Sequence, residues 1–156
     1  MVISNFLLTN SEIVLIDRYQ GHAFITQQVY DELVAGIARG YNKLTAIDSL
    51  LNKNIFMLIT LSETSRALYR ELLTVLGPGE ASCIASAILK NGVVISDDRA
   101  ARNICNAKGV HYTGTIGILK ATIVDKQLSL EKAEDILYRM KLAGYYSPIL
   151  QLKDIL

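Results

Sequence analysis

Cysteine is scarce in this chain: Cys83 and Cys105 are the only two among 156 residues. Both fall inside apolar helical patterns, with no Cys-x-x-Cys pair and no histidine at ligand spacing. That excludes a disulfide scaffold and a zinc site, and makes both reduced core residues. Long hydrophobic runs are missing too. The longest clean one, Ile55 to Leu61, contains Thr60 and falls far short of the ~20 apolar residues that span a bilayer. Met1 opens onto an apolar segment without a basic leader, so the expected location is the cytoplasm, with no membrane partner. Neither sign of charge dominates: 16 basic against 15 acidic residues leave a net charge of +1, which neither names nor excludes a polyanionic partner. No internal repeat, low-complexity tract or long linker divides the sequence. One domain over residues 1–156 is therefore expected, with a sizeable core built from the 51% of residues that are apolar. A glycine-rich phosphate fingerprint after a strand is also lacking. Gly77-Pro78-Gly79 precedes a helix but follows another helix, which sets aside a doubly wound nucleotide-binding domain.

What the sequence does have is concentrated between Leu76 and Ala101, LGPGEASCIASAILKNGVVISDDRAA. Gly77, Pro78 and Gly79 break the preceding element and deliver Glu80 to the first turn of a helix, where a carboxylate is favoured by the dipole. Glu80 shares a stripe with Ile84, Ala87 and Ile88, which places an acid on a face expected to be buried. Asn91-Gly92 stops that helix. Val93 to Ser96 then reads as a short strand covered on both faces, with Asp97 and Asp98 at its carboxyl end. In open α/β sheets ligands bind beyond the strand ends, so the stretch carries three carboxylates towards one place.

Along the rest of the chain, helical and strand-like patterns alternate. Val2 to Ser4 reads as a first strand, followed by Asn5 and the apolar Phe6-Leu7-Leu8. A helix follows over Glu12 to Tyr19, then a strand over His22 to Ile25 and a Thr26-capped helix from Gln27 to Arg39 that carries Asp31 and Glu32. Next come a short helix from Leu44 to Leu51, a strand from Ile55 to Leu61, and a Ser62-capped helix to Leu76. After Asp98 the pattern gives a helix closed by Gly109, a strand over Val110 to Tyr112, helices over Thr115 to Lys126 and from Ser129 to Ala143, and a last short helix beginning at Ser147-Pro148. This rhythm predicts a parallel sheet with helices on both faces, the strands at Val2–Ser4 and Val93–Ser96 lying side by side, and a mostly helical C-terminal third.

Four segments resemble the PIN-domain superfamily, in particular its bacterial and archaeal branch of PIN-like proteins related to toxin ribonucleases: VISN, FITQQVYDEL, LGPGEASCIASAILKNGVVISDD, and GTIGIL with the helical tail through LAGYYSPIL. The third is the most specific. The resemblance implies a three-layer α/β/α sandwich with a short central parallel sheet and a helical C-terminal segment. It also implies acidic residues beyond the strand ends that hold Mg²⁺ or Mn²⁺ for phosphodiester cleavage of RNA. Position by position, it assigns catalytic roles to Glu32, Glu80 and Asp98, and metal-ligand roles to Asn5, Glu32, Glu80, Asp97 and Asp98. Asn5 stands where the general pattern has an aspartate, with Asn10 as the fallback position. The hydroxylated residues usual just beyond are replaced by Phe6 and Leu7.

Hard divalent cations take oxygen ligands, and Mg²⁺ is typically held by one or two carboxylates, waters and substrate phosphates, so Glu32, Glu80 and Asp98 would be enough. Each acid also has a plain structural account. Glu80 would be a helix-start carboxylate, Glu32 an exposed helix acid, and Asp97-Asp98 a helix entry with one residue as N-cap. His22 and His111 are isolated and read as structural. Arg99 and Arg102 suit either a phosphate or the neighbouring aspartates, and Tyr145 and Tyr146 either stack on bases or pack the C-terminal helix. The functional expectation is a metal-dependent endoribonuclease, the toxin of a toxin–antitoxin pair, with RNA as substrate, a small antitoxin protein as partner and a homodimer as the assembled form. The competing reading is a catalytically impaired PIN-like module that binds nucleic acid or protein, because Asn5 lacks the first carboxylate.

Overall fold

Most of the element boundaries follow from caps and breakers that the sequence spells out, as the computed structural model of residues 1–156 shows. Thr26 ends β1 (Ala23–Thr26) and caps α3 (Gln27–Ala38), its hydroxyl accepting from the Val29 amide. Ser62, Asp98 and Ser129 do the same for α5 (Glu63–Leu72), α7 (Arg99–Lys108) and α9 (Leu130–Leu142), each satisfying an amide that would otherwise lack a partner. Pro78 opens α6 (Pro78–Lys90) from its first turn, and Asn91 closes it in the left-handed conformation at φ 51°. The remaining elements are α1 (Val2–Leu8), α2 (Glu12–Tyr19), α4 (Ala46–Asn52), β2 (Phe56–Ile59), β3 (Val94–Ile95), β4 (Tyr112–Thr113) and α8 (Thr115–Val124). Single 3-10 turns lie at Asn42–Thr45 and Leu152–Ile155.

Helices on either side of short parallel strand pairs give a mixed α/β fold of the α/β/α kind that the alternating pattern predicts. The main core joins α1, α2, α3, α8 and α9 around Phe6, Leu33, Ile47, Ile118, Leu137 and Met140, all fully buried. A second cluster, Ile84, Ala87, Val94, Ala101 and Cys105, packs α6 against β3 and α7. Cys83 and Cys105 are both free thiols.

Three expectations are corrected. Val2 to Ser4 is not a strand but the first turn of α1, because Val2 and Phe6 at i and i+4, with Leu7, form one buried helical face. A stretch of seven residues is too short to fix a period, and here the helix wins. Consequently no strand at residues 2–4 lies beside β3. The strands form two separate two-stranded sheets, β1 with β2 and β3 with β4, rather than one. The segment at Ser147-Pro148 is also not helical. It is an irregular turn in which the Ser147 hydroxyl accepts from the Ile149 amide and donates to the Ile149 carbonyl, and only Leu152–Ile155 coils.

Candidate active site

Glu32 reaches the site from the second turn of α3, which Thr26 starts at the carboxyl end of β1. The same Thr26 hydroxyl lies 2.8 Å from the hydroxyl of buried Ser82 and so fixes α3 against α6. One Glu32 oxygen accepts the Gly79 amide at 2.9 Å. That amide is one of the free donors at the start of α6, where the dipole favours an anion. The approach is possible because residue 79 has no side chain: a Cβ there would stand 2.8 Å from Glu32 Oε1. Glu80 follows in the same first turn of α6 and folds back so that a Cβ on Gly77 would lie 3.2 Å from its Oε2. It is half-buried, as its place beside fully buried Ile84 requires, whereas Ile88 on the same stripe is exposed.

The two glutamates share one electrostatic neighbourhood. Burial raises the Glu32 carboxyl above its ordinary value, and Glu80 adds to the rise. The Gly79 hydrogen bond and the Met1 amino group pull in the other direction. Burial likewise pushes the Cys83 thiol up to about 11, with both glutamates contributing. Two carboxylates this close, one of them raised in part by the other, make a site where a cation would be stabilised.

Asp97 occupies a different setting. It leaves the end of β3 and is held by four donors. Oδ1 accepts from the Thr115 amide at 2.9 Å and from Arg102 Nη2 at 3.1 Å, while Oδ2 accepts from the Thr115 hydroxyl at 2.5 Å and from Asn5 Nδ2 at 3.4 Å. Asn5 Nδ2 also donates to the Thr115 hydroxyl at 2.9 Å. A carboxylate offers about four lone-pair positions, so these contacts engage all of them. Gly114 makes room for the cluster, since a Cβ there would stand 2.3 Å from Asp97 Oδ1 and 2.1 Å from Arg102. Arg102 is thus committed to Asp97 and to the Ser96 carbonyl, and its guanidinium also lies over the Tyr112 ring. Asp98 caps α7 through the Ala101 amide at 2.7 Å.

The five oxygen-bearing residues singled out from the sequence therefore fall into distinct settings. Glu32 and Glu80 stand at the start of α6, Asn5 and Asp97 lie in a clasp joining α1, β3 and α8, and Asp98 serves a helix cap. No three Asp, Glu, His or Cys side chains gather in a metal-ligating arrangement. Thr115, absent from the sequence-based candidates, is a centre of the clasp. Its only sequence signal was its place after Gly114 at a helix start. Tyr145 packs on the core near the same clasp, its hydroxyl pushed up to about 12 by burial and by Asp97, whereas Tyr146 is exposed.

No helix is long and apolar enough to cross a membrane. No characterised protein and no solved structure matches the chain. A family model described as a PIN domain, DUF3368, matches residues 2–156. That match takes in both glutamates, the clasp and nearly the whole chain, and the chain belongs to the PIN-domain family.

Proposed function

We propose that this PIN domain is a metal-dependent endoribonuclease whose divalent cation, Mg²⁺ or Mn²⁺, is held at the start of α6 by Glu32 and Glu80. The observation that carries the reading is the pairing of these glutamates, 48 residues apart in sequence, across Gly79, whose amide donates to Glu32, with the Glu32 carboxyl raised by burial and by Glu80. Two carboxylates, with waters and a substrate phosphate, make a sufficient donor set for Mg²⁺. When bound, the cation would supply an activated water and charge neutralisation at the phosphate. The chain's own contribution is positioning. The Gly79 amide orients one Glu32 oxygen, Gly77 leaves room for Glu80, and the α6 N-terminus favours an anion beside them.

In this reading Asp97 and Asn5 shape the site without ligating, and Asp98 belongs to it through the cap of α7. A toxin role with a small antitoxin partner, a homodimeric state and a cytoplasmic location complete the proposal. The second reading, a PIN-like module with an impaired metal site, is favoured by one observation: Asp97, an acid at the strand end, has its acceptor positions filled by protein donors. Calorimetric titration with Mn²⁺, joined to cleavage of a labelled single-stranded RNA, decides between them. The nuclease reading expects Mn²⁺ binding and cleavage in the wild type and the loss of both in Glu32→Gln and Glu80→Gln. RNA binding without cleavage, unchanged by either substitution, would establish the second reading.

A further inference from the structure

β1 and β2 turn part of one apolar face to solvent. Phe24 and Met57 are partners in the register of the parallel pair, so their side chains stand next to each other on the same face, and they are 47% and 37% exposed. The ammonium of Lys90, the last residue of α6, lies 5.3 Å from the centre of the Phe24 ring. An aromatic ring beside a thioether, with a cation over it, is a surface on which a flat π-system stacks and beside which a phosphate is neutralised.

This platform lines an open groove of about 600 Å³, within the ~300–1,000 Å³ of small-ligand sites. Asn52, the last residue of α4, and Asn54 bring exposed side-chain amides to it, each offering both donors and an acceptor. Asp48 is its one charged wall. Asp48 Oδ1 accepts the Tyr30 hydroxyl at 2.9 Å, and no lysine or arginine pairs with the carboxylate. An ionised carboxylate only accepts, so this wall asks for donors. Among the RNA bases, guanine alone presents two adjacent donors on its pairing edge, the ring N1–H and the N2 amino group, while its O6 and N7 accept. Adenine and cytosine set a ring acceptor next to their amino group, and uracil flanks its ring N–H with carbonyls, so each would turn a lone pair on Asp48.

The groove also flanks the candidate active site. Gln27, which lines it, opens the helix that carries Glu32. On that helix Tyr30 turns to Asp48 of α4 and Glu32 turns to Gly79 of α6, so the thickness of α3, about 10–12 Å, separates groove and glutamates.

Deepening the ribonuclease reading, on which it rests, we propose that this groove is a specificity site that holds one unpaired guanine of a single-stranded RNA, a short way along the strand from the scissile phosphate. Phe24 and Met57 stack the base, Asp48 accepts from its N1–H and N2 amino group, Asn52 and Asn54 donate to its acceptors, and Lys90 meets a neighbouring phosphate. Tyr30 is a positioning residue whose hydroxyl fixes Asp48.

The test is run first without metal, so that it reads the groove and not catalysis. Guanosine monophosphate, and a single-stranded RNA carrying one guanine, are titrated into the protein by calorimetry against adenosine monophosphate and the same RNA with adenine in that place. The guanine forms should bind roughly tenfold tighter. Asp48→Asn, which keeps an acceptor for Tyr30, should abolish that preference, and Phe24→Ala should weaken every ligand roughly tenfold with circular dichroism unchanged. Equal affinity for guanine and adenine forms in the wild type, or a guanine preference that survives Asp48→Asn, would overturn the site. A preference among the mononucleotides but not between the RNAs would overturn RNA as its source. With Mn²⁺ added, cleavage should fall at a fixed distance from guanine in the wild type and scatter in Asp48→Asn. Guanine preference without cleavage would refute the catalytic reading and leave the groove established, whereas cleavage without guanine preference would refute the groove alone.

Discussion

Replacing Asp97 by alanine separates a structural clasp from a free acid kept for a cation, because the two give opposite signs. The substitution removes acceptors for the Thr115 amide, the Thr115 hydroxyl and Arg102, and a long contact from Asn5. Hydrogen bonds to a charged group contribute about 1.5–3 kcal/mol each. The Asp97 side chain is 24% exposed and that of Arg102 34%, so solvent screens part of the ion pair. Counting the two Thr115 bonds in full and discounting the others gives a loss of about 3–5 kcal/mol. For a domain of this length that lowers the melting temperature by roughly 6–15 °C. Asp98→Ala, which loses one cap, should cost about 1 kcal/mol. The assay is reversible thermal or urea unfolding without metal, with coincident probes to establish two-state behaviour. Thr115→Val adds the partner: it should destabilise the wild type by about 1–2 kcal/mol yet cost little in Asp97→Ala, the difference being the coupling energy of the hydroxyl bond. The reasoning is refuted if Asp97→Ala costs no more than Asp98→Ala, or if it raises the melting temperature as removal of one repelling carboxylate would.

The raised Glu32 carboxyl means that the native state holds this proton more tightly than the unfolded chain. Its contribution to stability is therefore greatest below the ordinary glutamate value and is lost as pH rises through the folded-state value. The difference in melting temperature between wild type and Glu32→Gln should accordingly grow in favour of the variant from pH 4 to pH 7, and a difference independent of pH would refute it. Asn5→Asp places a second carboxylate against Asp97 and removes the donor to Thr115, so it should cost about 1–3 kcal/mol at neutral pH and recover part of this in acid, as urea titrations at two pH values would show. Gly79→Ala puts a methyl group where Glu32 Oε1 must come within hydrogen-bond distance of the amide; it should weaken Mn²⁺ binding in calorimetry while circular dichroism shows α6 intact, and unchanged affinity would place the cation elsewhere.

What could be read from the sequence is what short-range chemistry fixes. Thr26, Ser62 and Ser129 announce helix starts because a hydroxyl three residues ahead of an unpaired amide is a local event, and Gly77-Pro78-Gly79 announces α6 for the same reason. The run from Val2 to Leu8 could not be read that way: its period is ambiguous over seven residues, and the burial of Val2, Phe6 and Leu7 that decides for a helix comes in part from α9, far along the chain. The two neighbouring aspartates show the same limit more sharply. Asp98 finds its partner three residues on, so its cap was legible, whereas the partners of Asp97 include Thr115 and Asn5, 18 and 92 residues away. Glu32 and Gly79 meet across 47 residues. The Gly77-Pro78-Gly79 start and the apolar stripe picked out Glu80, and the resemblance to PIN domains supplied Glu32, but neither could show that Asp97 spends its acceptors on Thr115, Arg102 and Asn5. That division has a chemical consequence. An acid whose lone pairs are filled by fixed donors stays put when a cation arrives, whereas Glu32, with one oxygen fixed by the Gly79 amide and its carboxyl raised by burial, can turn its second oxygen towards a ligand. If a cation binds at the start of α6, the glutamates are the groups that respond to it, and the Asp97 clasp is the frame that keeps α1, β3 and α8 in place while they do.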